Sequence, residues 1–186
     1  VLEESCSGKN TLNLQTSHFT DRVLFLTGEI DDVMAVDFVS QFKYLAKSKE
    51  PVDIYINTPG GSVNAGLVIY DLMQAAPFPI NIYCIGNAAS MGAVLLAGGQ
   101  PGRRFILPHS KVMIHEPLIA GGVGGSATSI KKTADSILET KAIINEILVK
   151  HCGGKKTLEE INEATSFDNY MNAKEAINFG LCDEIK

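Results

Sequence analysis

Three times in its first hundred residues the chain passes from a short apolar run, through a turn, into a stretch with helical periodicity, and this alternation most constrains its fold. Arg22-Val-Leu-Phe-Leu-Thr27 ends at Gly28 and predicts a buried strand. Asp31 or Asp32 can cap the helix that follows, with Val36, Val39, Phe42 and Leu45 as its apolar stripe. A second unit joins a strand at 52–56 to a helix over about 63–75. A third joins a strand at 80–85 to a helix that begins near Ser90. Strands that alternate with helices at near-equal spacing require crossover connections, so the prediction is an α/β fold around a largely parallel sheet.

Beyond residue 100 the pattern loosens. Phe105-Ile-Leu107 and Lys111-Val-Met-Ile-His115 predict two short strands around a Pro-His-Ser turn. The glycine-rich loop 121–125 leads into a long amphipathic helix, about 126–151, with Ile130, Ala134, Ile137, Leu138, Ile144, Ile147 and Leu148 on one side. A helix of that length projects beyond a small core or lines an interface. A short helix over 158–164, another between Asn172 and Gly180, and a strand at 182–185 complete the chain. Its 186 residues suit one domain spanning 1–186, with 1–17 as an N-terminal segment.

Charge and composition exclude several functions. A net charge of −5, with Arg103-Arg104, Lys131-Lys132 and Lys155-Lys156 the only basic pairs considered, argues against nucleic-acid binding. No apolar run reaches the roughly 18 residues of a membrane span. No basic-then-apolar leader is visible in 1–8. Cys6, Cys84, Cys152 and Cys182 lack metal-ligand spacing, so free thiols and a cytoplasmic location are expected, with no metal or other cofactor.

Candidate chemistry collects at strand ends. Gly86-Asn-Ala-Ala-Ser-Met-Gly-Ala93 follows an apolar strand and opens a helix, which puts the Ser90 hydroxyl on a tight turn beside unpaired N–H groups. The same small residues suit close packing equally well. Asn57-Thr-Pro-Gly-Gly61 also joins a strand to a helix, and its glycines let main-chain N–H groups approach a ligand; it lacks the lysine of a phosphate loop. Of four histidines, His18 lies in a polar stretch, His109 on a turn and His151 at a helix end, whereas His115 closes an apolar strand. Asp168, between Phe167 and Tyr170, serves as a turn or cap aspartate by default. Spacing alone does not unite Ser90, His115 and Asp168, because triads occur in several chain orders.

The 86–93 motif, Arg104-Phe-Ile-Leu-Pro-His-Ser-Lys-Val-Met-Ile-His-Glu-Pro117, Tyr55-Ile-Asn-Thr-Pro-Gly-Gly61 and Asp168-Asn-Tyr-Met-Asn-Ala-Lys-Glu-Ala176 together resemble ClpP, the proteolytic-subunit family of the ATP-dependent Clp protease. The resemblance runs from about residue 12 to the end. It implies the ClpP/crotonase-like spiral of βα units, with 126–151 as a protruding handle helix. It also implies a serine endopeptidase with Ser90 as nucleophile, His115 as general base and Asp168 orienting the histidine. The oxyanion hole falls on Gly61 and Met91, and substrate-binding positions fall on Val63 and Leu118. Heptameric rings, an AAA+ unfoldase as partner and unfolded polypeptides as substrates are implied as well.

Three features depart from the family pattern. Ser166 and Phe167 replace an acidic residue and an arginine that contact the opposing ring. Gly125-Ser-Ala-Thr-Ser129 departs from the handle signature, and Asp53 stands where an aromatic is expected in the unfoldase pocket. They suggest a divergent paralogue that pairs with a second ClpP, weakly active or regulatory on its own. A crotonase-type acyl-CoA enzyme and a Ser–Lys membrane peptidase are rival assignments, the second disfavoured by the lack of a membrane segment and a fitting lysine.

Overall fold

The structure, a computed structural model, describes residues 2–5, 8–11, 13–119 and 121–186; Cys6 lies outside them. In chain order the elements are β1 (Leu2–Ser5), β2 (Gly8–Thr11), α1 (Leu14–Thr20), β3 (Val23–Thr27), α2 (Asp32–Leu45), β4 (Val52–Thr58), α3 (Val63–Gln74) and β5 (Ile80–Ala89). There follow α4 (Met91–Ala97), β6 (Arg104–Ile106), β7 (Lys111–Ile114), α5 (Ala127–His151), α6 (Leu158–Ala164), β8 (Asn169–Asn172), α7 (Ala173–Phe179) and β9 (Glu184–Ile185). Strands β3-β4-β5-β6-β9 form the path of a seven-stranded sheet in which β7 joins β5 and β8 joins β7. Every pairing in it is parallel except β7 with β8. The predicted α/β architecture is therefore present. A separate antiparallel hairpin, β1–β2, lies in the N-terminal segment, for which no strand was expected.

Local chemistry sets most helix boundaries. Asp31 caps α2 by accepting from Met34 N, and Ser62 caps α3 by accepting from Ala65 N. Thr157 and Asn172 form capping boxes with Glu160 and Glu175, and Gly180 ends α7 in a left-handed turn at φ 103°. The buried stripe of α2 differs from the expected one: it is Ala35, Phe38, Phe42 and Leu45, while Val36 is 64% exposed. The aromatic pair decides the helix rotation, since Phe38 stacks on Phe42 and Phe42 meets Phe78 in the core.

The centre of the sheet is β5, and it is not straight. Its pairing with β4 slips between Ile56↔Cys84 and Thr58↔Ala88. At the slip Gly86 has φ 159°, and Asn57 Oδ1 fills the space its missing side chain leaves, accepting from Asn87 N at 3.1 Å. The first half of β5 pairs with β6 and the second half with β7. The strands at 104–106 and 111–114 thus each extend β5 rather than pairing with each other.

A buried charge ties the far ends together. Arg104, 6% exposed, donates to the carbonyls of Ala97, His151 and Gly180 and pairs with Asp183 through two nitrogens. Burial pushes the Asp183 pKa up, but the Arg104 hydrogen bonds and charge outweigh it and hold the carboxyl below its ordinary value. Of α5 only Ile144, Asn145 and Leu148 are buried; from Ala127 to Ile143 the helix stands clear of the core.

Candidate active site

Ser90 is where β5 stops and α4 starts. Its N–H donates to Met113 O of β7 at 2.8 Å, which fixes the residue against the neighbouring strand. Its backbone lies at φ 55°, ψ −121°, one of two non-glycine positive φ values among the described residues. Such a conformation costs about 1–3 kcal/mol and persists only where the surroundings enforce it. Here it goes with a hydroxyl that leaves the strand–helix turn to face His115.

His115 lies one residue beyond β7, and Asp168 one residue before β8. The ladder between these strands closes with Ile114 opposite Asn169, and on the other side Glu116 N donates to Thr165 O at 2.7 Å. Imidazole and carboxylate are thereby brought face to face, with Nδ1 to Oδ1 at 3.3 Å, an ion-pair distance rather than an aligned hydrogen bond. The other ring nitrogen, Nε2, is 2.8 Å from Ser90 Oγ. A carboxylate beside Nδ1 favours the tautomer whose Nε2 lone pair faces the hydroxyl. The His115 side chain is 16% exposed and that of Asp168 59%, so the row runs from the interior to the surface.

The 57–61 loop packs directly on the serine. A Cβ on Gly60, at φ 96°, would come within 2.6 Å of Ser90 Cβ and 2.8 Å of Ala89 O. Thr58 anchors the loop by donating to Gly28 O and accepting from Gly60 N. Gly61 sits opposite Ile30, but the bridge uses Gly60 O and Ser62 N, leaving the N–H of Gly61 out of that pairing. The Met91 N–H belongs to the first turn of α4, where a helix offers no acceptor of its own.

Three cavities lie around the row, two of them lined by its residues. One is an apolar slot of about 20 Å³ lined by Val63, Ser90, Met91, Ile114, His115 and Ile144, among others. Another, about 540 Å³, runs between Val63, Leu118 and the exposed part of α5. Leu118 also joins Phe167 and Asp168 around a third space of about 510 Å³. Of the expected substrate positions, Val63 lines the slot that holds Ser90, whereas Leu118 lines the two neighbouring spaces and not the slot. Ile144 and Leu148, seen in the sequence only as helix stripe, close the slot; no local signal distinguished them from core residues.

The departing positions lie at the surface. Phe167 is 84% exposed beside Asp168. Asp53 accepts from Asn81 Nδ2 at 2.7 Å, and Asn81 accepts from Arg103, beside the ring stack Phe25–Tyr55–Tyr83–Phe105. Among the described residues, no helix is long and apolar enough to cross a membrane, and no His/Cys/Asp/Glu cluster could hold a metal.

A sequence model of the Clp protease family matches residues 7–186. The match takes in every element from β2 onward, including both loops that frame Ser90, the strand end that carries His115 and the turn that carries Asp168. The chain belongs to the Clp protease family, a family of peptidases.

Proposed function

We propose that the chain is a serine endopeptidase subunit in which Ser90 is the nucleophile, His115 the general base and Asp168 the residue that orients the histidine. The 2.8 Å contact between Ser90 Oγ and His115 Nε2, with Asp168 Oδ1 3.3 Å from the other ring nitrogen, carries this proposal. His115 takes the hydroxyl proton as Oγ attacks a peptide carbonyl, then gives it to the departing amine. The N–H groups of Gly61 and Met91 stabilise the oxyanion, and water repeats the sequence on the acyl-enzyme. Val63 and Leu118 border extended substrate. The apolar slot beside Ser90 favours an uncharged side chain next to the scissile bond, because a charged one loses its hydration there without gaining a partner.

Seven copies form a ring, with an AAA+ unfoldase delivering unfolded polypeptide and the whole chain acting as one peptidase unit. The buried thiols of Cys84, Cys152 and Cys182 suit a reducing compartment such as the cytoplasm; burial raises all three pKa values, Cys152 to about 11 and Cys182 to about 12. A second reading, a weakly active subunit completed by another ClpP, is favoured by one observation: the His115–Asp168 contact is unaligned and its carboxylate largely exposed.

The test is cleavage of an unfolded polypeptide, with unfoldase and ATP, and of a short apolar peptide. Wild type is expected to cleave both, and Ser90→Ala to lose about a thousandfold or more. Retention of turnover in Ser90→Ala would refute the assignment.

A further inference from the structure

His115 is gripped from the handle as well as from the sheet. Lys141 and Asn145 stand one turn apart on α5, on the same face. Lys141 Nζ donates to Glu116 Oε2 at 2.6 Å, and the lysine side chain is only 24% exposed. Asn145, fully buried, donates to Asn162 Oδ1 at 2.7 Å and to Thr165 Oγ1 at 3.3 Å. Thr165, also fully buried, accepts the N–H of Glu116 on its own carbonyl. Both grips therefore converge on the residue after His115. The second also holds the segment that leads to Asp168, whose far side is pinned by Asn169 Nδ2 donating to Ala164 O.

Asn145 is poorly suited to a packing role. Its Oδ1 is buried without a hydrogen-bond partner among the described residues. A buried, half-satisfied amide is costly, and a leucine of similar size would pack there without that cost. What the amide supplies instead is a fixed link between α5 and the 162–168 segment.

We infer that Lys141 and Asn145 are positioning residues, a clamp that sets the approach of His115 to Asp168 through Glu116 and Thr165. This rests on the proposed roles of Ser90 and His115. From the handle side the clamp limits how far the 3.3 Å imidazole–carboxylate contact can drift. A shift of α5 therefore changes the relay directly.

The test uses Lys141→Met, Asn145→Leu, Glu116→Lys, Lys141→Glu and the exchanged pair Glu116→Lys/Lys141→Glu, with kcat, KM, fluorophosphonate labelling rate, native mass and Tm measured for each. Lys141→Met and Asn145→Leu are expected to lower kcat and labelling rate about tenfold or more, with KM and particle mass unchanged. The exchanged pair is expected to recover most of the loss seen in Glu116→Lys. Unchanged kcat in Lys141→Met, or an Asn145→Leu protein with higher Tm and full kcat, would overturn the clamp. So would an exchanged pair whose loss is the sum of its single changes. Lys141→Met leaves the core intact, so the test stands even where Asn145→Leu does not fold. An active, labelled wild type with unaffected variants defeats the clamp alone; an inactive, unlabelled wild type defeats the Ser90 assignment with it.

Discussion

Ser90 and Gly60 show how much of the site is decided by single backbone conformations. The serine is held at φ 55° because its N–H is committed to Met113 and its far side abuts a residue with no side chain. Any Cβ at Gly60 meets Ser90 Cβ and a fixed carbonyl, neither of which can swing aside, and the φ of 96° adds strain. Gly60→Ala is accordingly expected to move the hydroxyl away from His115 and lower kcat/KM about a hundredfold, with helix content by circular dichroism unchanged. Wild-type kcat/KM in a folded Gly60→Ala protein would show that this contact does not position the serine. In the sequence the glycine pair announced a close backbone approach, but not what was approached. That depends on β4 and β5 lying side by side with a slipped register, which is not a local property.

At the scale of elements, the regular alternation of apolar runs and helical stripes was legible because each unit is local. β3, β4, β5 and their helices lie within a few residues of the expected positions. β8 was not legible: Asn-Tyr-Met-Asn offers one buried apolar residue, and its partner β7 lies more than fifty residues earlier. That unseen strand places Asp168, so the site could be assembled from the sequence only through resemblance. Arg104 was equally hidden, since nothing in an Arg-Arg pair says that one of the two is buried among three helix-end carbonyls.

The same junction makes stability depend on pH. The Tyr70 hydroxyl and His151 Nε2 are 2.8 Å apart where α3 meets the end of α5. Burial, then the charges of Lys150 and Arg104, lower the His151 pKa from its ordinary 6.5 to about 4. The unfolded chain therefore binds the extra proton first, and stability falls as pH drops from about 6.5 toward about 4. Tm measured between about pH 7.5 and about pH 5 is expected to fall more in wild type than in His151→Gln. An equal fall in both proteins would show that this imidazole is not the linked group.

At the scale of the whole molecule, most of α5 from Ala127 to Ile143 is exposed, with Thr133, Ile137, Thr140 and Lys141 half-buried, and Phe167 is exposed beside Asp168. In the proposed double ring, an apolar side chain at this position would weaken charge-assisted contact between opposed rings, and such contacts are worth about a few kcal/mol each when buried. In the proposed assembly the same few residues would join ring contact and activity: the handle carries Lys141 and Asn145, and the surface around Asp168 carries Ser166 and Phe167. On the proposed assembly, the pure protein is expected to run as single rings of seven in native mass measurements, and a stable double ring of this chain alone would contradict it.

Native mass spectrometry after treatment with a fluorophosphonate reads the nucleophile and the assembly together. One adduct per subunit is predicted, mapping to Ser90, absent from Ser90→Ala and His115→Ala, and carried by particles of seven copies. A wild-type protein that takes no adduct in any assembly state, or takes it at a residue other than Ser90, would contradict the claim that the Ser90 hydroxyl is activated by His115.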